Sequence, residues 1–157
     1  YLDGGDAILE AFRKLGVDYI VCSPGSEWSP IWEALARADQ TKTKSPGYID
    51  CWHETLAVGI ALGYTRATGR MQAVLLHSGV GLMQGSMGMH SATMGQVPML
   101  IMSGGNSQLA KKEQLQEVQA RLPNAKLVLF EGYGHMINLL IPQHCVAAVR
   151  EFLGAPD

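Results

Sequence analysis

No uninterrupted apolar run in this chain reaches the roughly 18 residues that a membrane-spanning helix needs, and no basic-plus-apolar leader precedes its first strand. A soluble, cytoplasmic protein with no membrane partner is the expectation. Cysteine is scarce: Cys22, Cys51 and Cys145 form an odd set without C-x-x-C spacing, each in or beside an apolar run. That excludes a disulfide framework and fits small buried hydrophobes in a reducing compartment. Charge is scarce too, at 17% of residues and a formal net charge of -2, so no electrostatic footprint for nucleic acid is present. The short basic runs at Lys42, Lys44 and Lys111-Lys112 read as solvated surface.

What is abundant is apolar material, 47% of 157 residues, enough for one well-buried domain and short for two. A single domain over 1–157 is expected. Short β-branched runs alternate with segments of helical periodicity, the pattern of parallel strands joined by crossover helices. The runs place strands at Tyr19–Cys22, Tyr48–Cys51, Ala73–Leu76, Met99–Met102 and Lys126–Phe130. Between them, helical spacing covers Ala7–Leu15 with Asp6 as N-cap, Glu27–Ala38, Glu54–Arg66, the Gly- and Met-rich segment Gly81–Met94, Lys111–Leu122 and Pro142–Leu153. This predicts an α/β three-layer sandwich with a five-stranded parallel sheet in the flavodoxin-like order 2-1-3-4-5. In such a sheet the loops 23–26, 51–54, 77–81, 103–107 and 132–135 share the carboxyl edge, where a ligand would bind.

Three features stand together in residues 4–103. A strand runs into Ser23-Pro24-Gly25-Ser26, another into His53-Glu54 with Ala57 three residues on, and a third into Ser78-Gly79-Val80-Gly81, whose small-residue helix ends at Val97-Pro98. Together they resemble the pyrimidine-binding domain of thiamine-diphosphate enzymes of the acetolactate synthase and benzoylformate decarboxylase group. The resemblance implies that Glu54 is the glutamate that hydrogen-bonds the aminopyrimidine ring. A first-turn glutamate favoured by the helix dipole is the alternative reading of Glu54. A zinc-protease helix is excluded because Ala57 stands where the second histidine belongs, and the spacing of Gly79, Gly81 and Gly85 does not fit a dinucleotide loop. No metal site is expected. The Gly-Asp-Gly motif that holds diphosphate and magnesium in that family is absent. The isolated chain is therefore expected to need no cofactor, with thiamine diphosphate and magnesium bound only when a partner domain is supplied.

Residues 104–157 carry a second pattern: a strand through Phe130, then Gly132-Tyr133-Gly134-His135-Met136, then a closing helix. It resembles the C-terminal end of α/β-hydrolases, which implies that His135 holds the position of the triad histidine. No G-x-S-x-G elbow occurs, and Gly104-Gly105-Asn106-Ser107 has serine where the triad acid would stand. Two resemblances meeting at Pro98–Ser103 suggest an engineered or recombined α/β scaffold, thiamine-enzyme-like over 1–103 and hydrolase-like over 104–157, with Glu54 and His135 idle. The alternatives are a thiamine-diphosphate-dependent carboligase or decarboxylase fragment that needs a separate diphosphate-binding domain, and a hydrolase remnant. Self-association through the Met-rich helix 81–94 is the expected protein contact.

Overall fold

The computed structural model describes residues 3–77, 79–97, 99–104 and 125–130, with a few isolated positions between 113 and 151. In chain order these form α1 (Gly4–Lys14), β1 (Tyr19–Ser23), a 3-10 turn (Ser26–Trp28), α2 (Ser29–Gln40), β2 (Gly47–Asp50), α3 (Glu54–Thr68), β3 (Ala73–Leu76), α4 (Val80–Met94), β4 (Met99–Gly104) and β5 (Ala125–Phe130). All strand pairs are parallel. β1 lies between β2 and β3, with Val21 opposite both Ile49 and Val74, and β4 pairs with β5 from Met99↔Ala125 to Gly104↔Phe130. The predicted neighbours 2-1-3 and 4-5 are thus present as two separate sheets, and no β3–β4 ladder occurs among the described residues. The helices read at 111–122 and 142–153 lie largely outside them.

Strand alternation sends β1 side chains to opposite faces. Ile20 and Cys22 join Ile8, Leu9, Ile31, Ala34 and Leu75 under α1 and α2, whereas Val21 joins Cys51, Ala57 and Ala61 under α3. Helices therefore cover both faces of the β2-β1-β3 sheet. Gln72, buried at the sheet's entry edge, accepts from the amides of Asp18 (3.1 Å) and Tyr19 (2.8 Å) and donates to the Arg70 carbonyl (2.9 Å). Those bonds fix where β1 and β3 begin.

Two helix starts differ from the sequence reading. The cap of α1 is Asp3, whose carboxylate accepts from the Asp6 amide at 3.0 Å. Asp6 instead accepts from Arg37 Nη2 at 3.0 Å, and the same guanidinium reaches Asp3 at 2.6 Å. A tertiary cation thus takes Asp6 away from the capping role that local sequence offers it. The helix read from Glu27 divides into the 3-10 turn and then α2, because Pro30 lacks an amide proton and suits the first turn of a fresh α-helix.

Candidate functional site

The sheet delivers three loops to one edge, and its ladder continues one residue beyond the strands. The Cys51 amide donates to the Cys22 carbonyl at 2.7 Å, and the His77 amide donates to the Ser23 carbonyl at 2.9 Å. The exits of β1, β2 and β3 are consequently held side by side. Trp28 adds a third tie, donating from Nε1 to the Leu76 carbonyl at 2.8 Å, which seats the 3-10 turn against the end of β3.

Glu54 opens α3 behind the cap residue His53, whose Nδ1 accepts from the Thr55 amide at 3.2 Å. Thr55 then donates from Oγ1 to the Gln84 carbonyl at 2.7 Å, binding the first turn of α3 to α4. Glu54 is half-buried and lies along α4 at Gly81. A β-carbon at Gly81 would stand 2.9 Å from Glu54 Oε1, 3.2 Å from Glu54 Cγ and 2.8 Å from His77 Cβ. Only a residue without a side chain lets the acid and the histidine approach the helix start together.

His77 belongs to a second close approach. A β-carbon at Gly25 would meet the Glu27 carboxylate and would lie 2.5 Å from Cδ2 and 2.8 Å from Nε2 of the His77 ring. Glu54, His77 and Glu27 therefore follow one another along the carboxyl edge, with Gly81 and Gly25 between them. Glu27 is 5% exposed, whereas His77 faces outward. Sequence reasoning missed Glu27, reading it only as the first residue of a helix. The signal that could have found it is a carboxylate two residues after the glycine that leaves β1, where it sits over the neighbouring strand end.

Of the predicted edge loops, 23–26, 51–54 and 77–81 come together, Ser78 apart. The loop 103–107 beyond the backbone of Gly104, and the whole of 132–135 with His135, lie outside the described residues. Cys22 and Cys51 are buried as expected, with Cys145 outside the described residues. Among the described residues no three His, Cys, Asp or Glu side chains are grouped to hold a metal ion, and no helix is long and apolar enough to cross a membrane.

Residues 2–123 match the family model described as "Thiamine pyrophosphate enzyme, N-terminal TPP binding domain". The chain is 33% identical over 103 residues to the acetolactate synthase large subunit of Haemophilus influenzae, covering 66% of this chain and 17% of that protein. It is 28% identical over 143 residues to the 2-succinyl-5-enolpyruvyl-6-hydroxy-3-cyclohexene-1-carboxylate synthase of Shewanella oneidensis, covering 91% of this chain and 23% of that one. An X-ray structure assigned as a thiamin diphosphate-dependent enzyme from Mycobacterium smegmatis shares the fold, with a TM-score of 0.55 and 16% identity over 88% of this chain and 32% of that one. The chain thus spans about a fifth of the length of these curated relatives. The expected joint at 98–103 gains no support: the family match runs through it to residue 123, and one relative aligns over 143 residues. Neither a scaffold nor a hydrolase-like C-terminus is favoured by these matches.

Proposed function

Because the chain belongs to the family of thiamine pyrophosphate enzyme N-terminal TPP binding domains, we propose that it supplies the pyrimidine-binding half of a thiamine-diphosphate-dependent carboligase or decarboxylase. The observation that carries this is the half-buried carboxyl of Glu54 at the start of α3, held against Gly81 on the carboxyl edge. A carboxyl group so placed can share a proton with a ring nitrogen lying on that edge, and partial desolvation strengthens the bond. The missing side chains at Gly25 and Gly81 let Glu27, His77 and Glu54 close onto the backbone of that edge. The donor set fits the aminopyrimidine end of thiamine diphosphate and not its diphosphate end, since the described residues offer no cluster for magnesium.

When bound, thiamine diphosphate supplies a carbon acid whose conjugate base adds to carbonyl groups. This chain's own part is to hold the proton partner of the ring at Glu54, to keep it oriented through the His53 cap and the Thr55–Gln84 bond, and to present His77 on the same edge with Glu27 beside it. The diphosphate and magnesium come from a separate domain. The wider architecture belongs to the same proposal: one domain over 1–157, the β4–β5 pair extending the sheet in the order 2-1-3-4-5, and self-association through the outward methionines Met83, Met87 and Met94 of α4. The test is reconstitution. The chain mixed with the diphosphate-binding domain of the Haemophilus influenzae acetolactate synthase large subunit, thiamine diphosphate and magnesium should release carbon dioxide from pyruvate, and Glu54→Gln should remove at least 100-fold of that rate. Equal rates for wild type and Glu54→Gln would refute the assignment of Glu54.

A further inference from the structure

Glu27 is a buried carboxylate that the proton exchange at Glu54 does not use. It is 5% exposed, and a carboxylate taken so far out of water needs a hydrogen-bond donor beside it. The three heavy atoms nearest to a β-carbon placed on Gly25 are Glu27 Oε2 and the Cδ2 and Nε2 of the His77 ring. Acid and imidazole edge thus converge on one point. The backbones that carry them are clamped on both sides of it. Trp28, the residue after Glu27, donates from Nε1 to the carbonyl of Leu76, the residue before His77, at 2.8 Å, and the His77 amide donates to the Ser23 carbonyl at 2.9 Å. The Trp28 amide closes the turn itself on the Gly25 carbonyl at 3.2 Å. These ties hold the two groups in one arrangement, while His77 faces outward on the edge that carries Glu54.

Resting on the reading above, we propose that Glu27 is the positioning residue for His77: its carboxylate accepts the ring N–H at Nε2 and fixes the plane of the imidazole, so that the histidine meets a molecule bound over Glu54 in one orientation. A buried acid behind an exposed imidazole is the means by which a histidine is held in a single orientation and tautomer. Glu27 touches no substrate in this scheme and acts through the ring alone. Gly25 is the third member, because its missing side chain lets the two close on each other.

The experiment reads the ring directly, in the full chain without cofactor. In proton NMR of the isotope-labelled wild type, the His77 Nε2–H should appear as a downfield resonance protected from exchange with water, with a nuclear Overhauser contact between His77 Hδ2 and the Gly25 α-protons. Glu27→Met, which fills the site with an apolar chain of similar length, should remove the resonance. Glu27→Gln, which keeps an acceptor oxygen, should retain it. Gly25→Ala, at φ -102° an ordinary conformation for alanine, should also remove it by wedging the ring from the carboxylate with both groups still present. With the Haemophilus influenzae diphosphate-binding domain, thiamine diphosphate and magnesium, release of carbon dioxide from pyruvate should fall about 10-fold or more in Glu27→Met and stay within about threefold in Glu27→Gln. A resonance that depends on Glu27, with no turnover by wild type, would retain the pair and sink the enzymatic reading. Absence of the resonance from wild type, or its persistence in both Glu27→Met and Gly25→Ala, would overturn the positioning role.

Discussion

Glu54 on α3 reaches across to Gly81 on α4 so closely that one methyl group at position 81 would stand 2.9 Å from the carboxylate oxygen. The contact makes Gly81 part of the site although it carries no reactive atom. Gly81→Ala must push away Glu54 or His77, whose Cβ would lie 2.8 Å from the new methyl. A cost of about 1–3 kcal/mol in unfolding free energy is expected from such overpacking. Reconstituted turnover should fall by more than stability alone explains, as a chemical denaturation curve run beside the rate measurement would show. A variant with wild-type turnover would mean that the Glu54 position is not needed as found.

Gly88 tests the helix pairing behind the site without touching its chemistry. A β-carbon there would lie 2.6 Å from Val58 Cγ1, so Gly88→Ala forces α3 and α4 apart. A loss of about 1–3 kcal/mol is expected, and Val58→Ala in the same chain should recover part of it because the two sites share one contact. Additive losses in the double variant would show that the packing is not as described.

Cys22 gives the fold a measurable alkaline limit. Burial pushes its thiol up to about 11, opposed by the hydroxyl of Tyr48, which donates to the sulfur and itself accepts from Trp32 Nε1 at 3.0 Å. The folded state favours the neutral thiol, so its contribution is intact below the ordinary value of 9.0 and is lost as pH rises toward 11. Urea midpoints should therefore decline over that interval in the wild type and decline less in Cys22→Ala. Iodoacetamide at pH 8 should leave Cys22 unlabelled until denaturant is added, which mass spectrometry of the peptide reads directly.

The acid side is set by Asp3. Burial works against its ionised form, but the Asp6 amide and the Arg37 guanidinium outweigh it and hold the carboxyl below 3.8. Stability from a lowered carboxyl is present above the unfolded value and disappears as pH falls through the folded one. Asp3→Ala should cost about 1 kcal/mol near neutral pH, the usual value of a lost N-cap. The gap from wild type should close below about pH 4. Asp6→Ala should leave the cap bond intact, since that bond uses the Asp6 amide, and lose its share of Arg37.

The cap of α1 shows where the sequence was readable and where it was not. Periodicity located Ala73–Leu76 to the residue, along with the starts of β1 and α3, because burial on two faces imposes its pattern along each element. The choice between Asp3 and Asp6 was invisible, since either carboxylate can cap and the decision is made by Arg37, more than 30 residues away. The place of Glu54 at a helix start was legible because an acid at a strand-to-helix turn belongs to a local pattern. Glu27 carried only a weak local signal, a carboxylate two residues after the glycine that leaves β1, because its neighbour His77 arrives from β3. Likeness over a short stretch at the C-terminal end gains no support: a Gly-His pair after a strand suggests a hydrolase, while the family match continues past the supposed joint to residue 123.

Affinity for the cofactor separates the half-site from a whole one. Glu54 offers one charge-assisted hydrogen bond, while the described residues group no three His, Cys, Asp or Glu side chains that could hold a magnesium ion beside a diphosphate. A single such bond contributes about 1.5–3 kcal/mol, which falls short of the roughly 4 kcal/mol that corresponds to a millimolar dissociation constant. Isothermal titration of the chain alone with thiamine diphosphate and magnesium should therefore give a constant no tighter than about 1 mM. Adding the diphosphate-binding domain should tighten it by orders of magnitude, and Glu54→Gln should weaken the ternary complex by about 10-fold or more. Micromolar binding by the chain alone, lost in Glu54→Gln, would place the diphosphate contacts within this chain and make the partner domain unnecessary for binding.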